Sequence, residues 1–365
     1  MVNKAVVIGL GLIGGSLAMA MKQSCFVKQI VGIDTNENSI AEGIKLGIID
    51  EGTKHLTAGV NGADLVILAT PVGQIIPIAE RISPYLPPGC VITDVGSCKS
   101  LLVSPLENIY GAQKHYIGGH PMAGSERAGI EAATPFLFEN AVYVLTPTKN
   151  TNKQALHTME SLIKAIGANK INLDPHKHDY IVAAVSHLPH IIAANLVNTV
   201  GELAKEEQLT LMLAASGFKD TTRIAMGDIT MWRDICLSNR KMLKKMLTLF
   251  RQQLDEFEKV IDEENKSLLA DLLGRAQTLR KQIPSKAKGL LPSIYELEVI
   301  IPDRSGMLAE ITNILAVNNI NIIDIEILRV REALGGTVRI GFADEKELTS
   351  ALEVLKQQNF QAMRR

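Results

Sequence analysis

Lys4-Ala5-Val6-Val7-Ile8-Gly9-Leu10-Gly11-Leu12-Ile13-Gly14-Gly15-Ser16 begins with a β-branched run and then sets glycines at 9, 11 and 14. Residues 4–8 read as a buried parallel strand, and the glycines as the turn into a helix running to Met21. Residues 30–33 make a second strand, and Asp34 follows it, 20 residues beyond Gly14. Each part has a physical task. Gly9 permits a tight turn, Gly11 lets the backbone approach a pyrophosphate, and Gly14 lets helix and strand pack closely. The helix start, with Leu12 and Ile13 in its first turn, offers N–H groups and a positive dipole end to the phosphates. Asp34 accepts hydrogen bonds from a ribose 2′-hydroxyl and repels a 2′-phosphate, so the expected cofactor is NAD rather than NADP. The stretch predicts a Rossmann-type, doubly wound α/β sheet.

The alternation continues outward from it. Residues 64–69 form a strand ending at Thr70 and Pro71, where a proline suits the first turn of the next helix. Residues 90–94 form another, running into Gly96-Ser97-Cys98-Lys99. In an open α/β sheet ligands lie at the carboxyl ends of strands, which is where Thr70, Asp94, Ser97 and Lys99 fall. Next comes Gly118-Gly119-His120-Pro121-Met122-Ala123-Gly124-Ser125-Glu126. Three glycines and a proline argue against a helix or a central strand, so this stretch is expected to be a loop carrying His120, Ser125 and Glu126. With a strand over 141–145 and a helix over 152–166, the first domain spans 1–173.

Composition bounds the rest. A chain of 365 residues is expected to hold two or three domains. With a net charge of −1 and mixed signs throughout, neither a nucleic-acid footprint nor a polybasic membrane patch is expected. Cys25, Cys90, Cys98 and Cys236 have no metal-ligand spacing, so reduced thiols in a cytoplasmic protein are expected. Ala18-Met19-Ala20 resembles a signal-peptidase site, but the glycine spacing before it has the explanation above. No run approaches the ~18 uninterrupted apolar residues of a membrane helix.

Residues 174–282 change to a helical period and form the second domain. His187 and His190 lie on one helix face, with Pro189 between them expected to kink the helix. No further ligand cluster accompanies the two histidines, so no metal is expected. Ser186 and His190 sit at the break, where polar side chains can enter a cleft. Arg223 is the natural anion anchor, since its planar fork matches a carboxylate. Trp232, the chain's single tryptophan, is a candidate pocket wall. The long amphipathic helix over 239–264 points to a helix-packed homodimer. Residues 283–293, with two prolines and a glycine, read as a linker. Residues 294–365 then give βαββαβ, a ferredoxin-like module with a hairpin around Leu334-Gly335-Gly336.

Residues 1–282 resemble the prephenate dehydrogenase family. The likeness rests on Gly9 to Gly14 with Asp34, on 96–99, on 120–126, on Ser186-His187-Leu188-Pro189-His190, and on 218–223 with Met231-Trp232-Arg233-Asp234. The C-terminal module resembles an ACT domain, and Asp303-Arg304-Ser305-Gly306 fits that family's ligand loop. Its first helix ends on Asn318-Asn319 rather than glycine, which a left-handed cap tolerates.

The resemblance implies NAD-dependent oxidative decarboxylation of prephenate in tyrosine biosynthesis. Hydride leaves the ring carbon that bears the hydroxyl, and the ring carboxylate departs as CO2. His120 then meets the hydroxyl, with Ser97 orienting it, and an unperturbed pKa near 6.5 suits the role. Arg223 is the carboxylate anchor, Ser186 and His190 the polar wall, and Glu126 a guard or network member. Asp94, Lys99 and His187 stay outside the catalytic set. The ACT module implies feedback by an aromatic amino acid, tyrosine foremost, and a second contact between copies. Arogenate is the alternative substrate. A β-hydroxyacid dehydrogenase and a non-catalytic NAD or amino-acid sensor are more distant readings.

Overall fold

The computed structural model describes residues 2–124, 127–283, 295–302, 304–331 and 335–364. Glu126 and Ser125, Asp303 and Leu334 lie outside them, as does the expected linker apart from Ile283. The chain divides into two compact units, Met1–Gly289 and Leu290–Arg365.

The first unit is built on eight strands: β1 (Val2–Ile8), β2 (Val27–Ile33), β3 (Glu51–Thr53), β4 (Leu65–Leu68), β5 (Val91–Asp94), β6 (His115–Pro121), β7 (Val142–Thr146) and β8 (Asn169–Asn172). Their order across the sheet is β3-β2-β1-β4-β5-β6-β7-β8. Pairs from β3 through β6 are parallel, β6 and β7 are antiparallel, and β7 and β8 are parallel. Val6 and Ile8 feed the core on one face, and Ala5 and Val7 the core on the other. A strand buried on both faces needs the near-continuous apolar run that made β1, β4 and β5 readable.

The first part of the stretch expected to be a loop is strand, and Met122, Ala123 and Gly124 after it lie outside regular structure. Gly118, Gly119, His120 and Pro121 continue β6 inside the sheet, paired with Thr146, Leu145, Val144 and Tyr143 of β7. Propensity is overridden by space. A Cβ on Gly118 would lie 2.3 Å from Thr146 Oγ1, and one on Gly119 would lie 2.7 Å from the Asp94 carbonyl oxygen. Glycine is required there because the strand passes too close to its neighbours for any side chain. Pro121 is the last residue of the strand, and Met122 N beyond it still donates to Val142 O at 2.8 Å, so the missing N–H of Pro121 falls on the side away from β7 and costs the ladder no bond.

From Pro175 the unit is helical. One continuous helix spans Pro175–Glu206, with a π turn over Ala183–His187 where the expected break falls. Pro189 cannot donate to a carbonyl four residues back, and the wider turn ahead of it absorbs the defect. This helix is long and apolar enough to cross a membrane by length and hydropathy alone. It nonetheless buries His178, Asp179, His187 and His190. Helices Ile229–Ser238, Arg240–Asp262 and Lys266–Gln282 complete the unit. The passage from sheet to helix between β8 and Pro175 is a change of architecture within one compact unit.

The second unit runs β9 (Tyr295–Ile301), helix Met307–Val317, β10 (Asp324–Arg331), β11 (Gly335–Phe342), helix Glu345–Gln357 and β12 (Gln361–Arg364). The antiparallel sheet has the order β10-β11-β9-β12, and both helices pack on one core with Leu297, Val299, Val338 and Ile340. Gly335 and Gly336 are ladder residues opposite Arg331 and Val330, so both belong to β11 and not to a turn. Asn319 takes the left-handed conformation after the first helix, φ 55°.

Candidate active site

The carboxyl ends of β1, β4, β5 and β6 line one edge of the sheet. At the end of β1, Gly9 has φ +99°, and its Cβ would sit 2.4 Å from the Ala69 carbonyl oxygen. A Cβ on Gly14 would sit 2.0 Å from the Gly9 carbonyl oxygen, while one on Gly11 would meet nothing within 4 Å. Gly9 and Gly14 are thus demanded by packing, and Gly11 faces open space. Leu12 and Ile13 begin helix Leu12–Gln23. Asp34 holds the loop, with Oδ2 accepting from Leu10 N at 2.7 Å and Oδ1 from Asn36 N at 2.8 Å. Thr70 Oγ1 is buried beside the loop with no hydrogen-bond partner among the described residues, and Pro71 caps helix Val72–Ile82. An open glycine, a helix N-terminus and an orphaned hydroxyl make a cradle that fits a dinucleotide pyrophosphate.

His120 lies at the end of β6, three strand spacings from that loop, or roughly 14 Å. Its Nδ1 is 2.8 Å from His178 Nε2, and His178 Nδ1 is 2.8 Å from Asp179 Oδ1. Asp179 also accepts from Lys99 N at 2.8 Å and Ser100 N at 2.9 Å. Burial works to raise the Asp179 carboxyl, but the hydrogen bonds from His178, Lys99 and Ser100 outweigh it and hold the pKa below its usual value. Asp179 is therefore a carboxylate, an acceptor only. Beside that carboxylate His178 Nδ1–H donates. With His178 as the neutral tautomer, its Nε2 accepts from His120 Nδ1–H and His120 Nε2 keeps a lone pair. Burial foremost, then His178, Lys99 and His187, hold the His120 pKa well below its ordinary value, so the ring is neutral.

Ser97 was expected to orient His120. It is half-buried and makes no hydrogen bond to that ring among the described residues. His178 holds the ring instead, because His120 sits on a strand whose buried side meets the Pro175–Glu206 helix.

Beneath His120 lies a second buried cluster. Asp94 and Lys99 are fully buried and form an ion pair. Asp94 also accepts from Tyr116 OH at 2.7 Å, Gly96 N at 2.9 Å and Gly119 N at 3.3 Å. Lys99 Nζ donates to the Gly119 carbonyl at 2.7 Å.

The helical side contributes a wall. His190 stacks on Trp232 with ring centroids 3.6 Å apart and planes at 9°, and His187 meets the same indole edge-on at 6.2 Å. Burial lowers the His190 pKa, partly opposed by a hydrogen bond to the Ile224 backbone. His190 Nδ1 is buried without a partner among the described residues. Burial pushes His187 down to about 4, and its Nδ1 lies 3.2 Å from Asn239 Nδ2. Asn239 Nδ2 also donates to the Asp179 carbonyl at 2.8 Å. Ser186 is half-buried in the π turn, and exposed Arg223 opens the short turn Arg223–Met226 that packs on helix Leu188–Glu206. Among the described residues, no group of three or more His, Cys, Asp and Glu is placed to hold a metal.

In the second unit, Gly306 has φ 92° and opens helix Met307–Val317. Arg304 reaches Glu310 at 3.4 Å and Met307 Sδ at 2.8 Å, and Ser305 is exposed. Arg304, Met307 and Glu310 line one side of a cleft of about 410 Å3 that Ile300 and Phe360 close on the other.

His178, Asp179, Asn239 and Tyr116 were not singled out by the sequence, and Asp94, Lys99 and His187 were set aside. One signal was available: a His-Asp pair one turn into an apolar helix, where a charge has no reason to be buried unless it has partners.

A model described as the nucleotide-binding domain of prephenate dehydrogenase matches residues 17–172, and one described as its dimerization domain matches 174–275. An ACT domain model matches 295–360. Prephenate dehydrogenase of Bacillus subtilis (strain 168) is 36% identical over 357 residues, 98% of this chain and 96% of that one. The crystal structure of prephenate dehydrogenase from A. aeolicus with hydroxyphenyl propionate and NAD+ is similar with a TM-score of 0.73 at 36% identity, covering 77% of this chain and 98% of that one. The crystal structure of Synechocystis arogenate dehydrogenase gives 0.68 at 32% identity, covering 77% and 100%. With two domain models and a nearly full-length relative in agreement, the chain belongs to the prephenate dehydrogenase family.

Proposed function

We propose that the protein oxidises and decarboxylates prephenate to 4-hydroxyphenylpyruvate with NAD. The observation that carries the reading is the His120–His178–Asp179 chain, which leaves a neutral imidazole nitrogen as acceptor at the edge where the dinucleotide cradle opens. Bound NAD supplies the hydride acceptor, held by Gly9, Gly11, Leu12, Ile13, Gly14, Asp34, Thr70 and Pro71. His120 Nε2 takes the proton of the substrate hydroxyl as the carbonyl forms, and gives it back to the same oxygen once CO2 has left and the ring is a phenolate. The imidazolium so created passes its charge toward Asp179 through His178, and the buried carboxylate stabilises it. Ser97, at the carboxyl end of β5, is the second contact to the hydroxyl. Arg223 holds a carboxylate, and Ser186, His190 and Trp232 wall the remote end. Glu126 belongs to this proposal as the guard of the entrance.

The relative of known structure that is an arogenate dehydrogenase favours weighing arogenate as a second substrate. The remote wall bears on the choice. A neutral imidazole stacked on an indole suits a keto acid, whereas an ammonium calls for a carboxylate beside it. The ACT unit is assigned feedback by tyrosine, with Arg304, Ser305, Gly306 and Asp303 at its ligand loop, and the helical segment the homodimer contact.

NADH formation with prephenate and arogenate side by side, each with and without tyrosine, tests all of this. Prephenate is expected to be preferred with NAD and inhibited by tyrosine. Absence of NADH formation with either substrate would refute the oxidoreductase reading.

A further inference from the structure

His120, His178 and Asp179 account for proton transfer, yet two fully buried charges, Asp94 and Lys99, remain without a task. A buried ion pair is weak ground for stability, because desolvation of both charges offsets their attraction. Its position is more informative. β5 ends at Asp94, level with Gly118, while β6 runs on to Pro121. Past that point the β5 side of β6 has no strand neighbour. The ion pair takes the place of one. Asp94 Oδ1 accepts from Gly119 N at 3.3 Å, and Lys99 Nζ donates to Gly119 O at 2.7 Å. Both backbone groups of the residue before His120 are thereby held by side chains from the end of β5 and the loop that follows it.

The same loop holds the far end of the proton path. Lys99 N and Ser100 N bind the two oxygens of Asp179 at 2.8 and 2.9 Å. The bonds close on themselves: Lys99 Nζ to Gly119 O, along the chain to His120, across to His178, on to Asp179, and back to Lys99 N. We infer that Lys99 is the positioning residue of this site, its side chain fixing one end and its main chain the other of a closed ring that sets the His120 ring against the cofactor edge. The inference rests on the oxidoreductase reading given above. Lys99 acts through Gly119 and Asp179 and touches no reacting atom.

Charge adds to position. The groups facing His120 are the His178 ring and His187 from the Pro175–Glu206 helix and the Lys99 ammonium from the loop, with Asp94 and Asp179 behind them. Lys99 is the cation of that set, and it opposes a proton on His120.

Lys99→Met leaves Asp94 buried without its counter-charge, so the informative variant is the double Lys99→Met with Asp94→Asn, compared with Lys99→Met alone. Two measurements are made on the full-length protein. Steady-state kinetics with prephenate and NAD are expected to show kcat lowered on the order of 10²-fold, the scale of a 1 Å misplacement, with KM little changed. Histidine-selective NMR of the ligand-free protein, with His120→Asn to assign the resonance, is expected to show the His120 ring titrating at higher pH than in the parent. It should also show the single Nδ1–H tautomer giving way to a mixture. A folded double variant with the parent's kcat and an unmoved His120 titration overturns the inference. Should the parent itself not oxidise prephenate, the substrate reading fails on its own, and the tautomer and titration of His120 still decide the ring. Should the double variant not fold, Lys99→Met is read the same way, an unchanged His120 tautomer counting against the ring.

Discussion

At the scale of single residues, the decisive difference is between His120 and the groups that tune it. A buried imidazole with Nδ1–H committed to His178 has one nitrogen left, and that nitrogen is neutral across the ordinary working range. Replacing His120 by Asn removes the base without touching the glycine loop, which is held by Asp34 and the Ile33 carbonyl. The expected outcome is a loss on the order of 10² to 10⁴ in kcat, with NAD affinity retained. Stopped-flow NADH formation together with calorimetric NAD titration checks it, and a variant of parental rate would move the base elsewhere. Much of this was legible in the sequence, and the reason is local. His120 and Asp34 announce themselves by their neighbours along the chain. The partner of His120 could not be read that way, since His178 lies 58 residues on in a different element. Lys99 was visible at a strand end but read as peripheral, because nothing in its own segment says that its amine is fully buried.

At the scale of elements, the Pro175–Glu206 helix is the one that joins the two halves of the site. It carries His178, His187 and His190 within little more than three turns, with the π turn between the first and the last. Strand β6 is its counterpart, and the two were read with unequal success. The helix was expected because its period is strong and its flanks are clear. The strand was expected to be a loop, because Gly118, Gly119 and Pro121 have poor strand propensity. What makes them a strand is the 2.3 Å and 2.7 Å approaches at Gly118 and Gly119, a tertiary fact with no local signature. The helix also gives the fold a dependence on pH. Burial depresses His187 from 6.5 to about 4, so above pH 6.5 neither folded nor unfolded chain is charged there. As pH falls below 6.5 the unfolded chain takes up a proton that the folded one refuses, and stability is lost until about pH 4, where the folded state titrates too. The loss is of order 3 kcal/mol at about 1.4 kcal/mol per pH unit. Thermal midpoints measured between those limits are expected to fall with pH, and His187→Asn to flatten the slope. An identical slope in the variant would assign the dependence to other groups, His120 foremost, whose shift has the same sign.

At the scale of the whole molecule, the division of labour is between a unit that holds every residue proposed for chemistry and a unit that holds none of them. Residues 290–365 have their own core, in which Leu297, Val299, Ile311, Leu315, Val338, Ile340 and Leu355 are buried together. The first unit has its own two cores on the faces of its sheet. All the residues of those two cores precede Gln282, so a chain ended there is expected to fold and to turn over substrate. What it loses is any effector bound at Arg304–Gly306. An effector alters the active site only through a difference in its affinity for two states of the protein, and such couplings amount to about 5- to 150-fold. That coupling needs the second unit to be present. Tyrosine is thus expected to slow NADH formation by the full chain and to leave the shortened chain at its unperturbed rate, across a tyrosine titration at fixed prephenate. Inhibition that survives the truncation, and weakens as prephenate is raised, would mean that tyrosine competes at the His190–Trp232 wall. The ACT unit would then have another ligand. Inhibition that disappears while kcat and KM stay put places the sensing in residues 290–365 and the chemistry wholly in the unit before them.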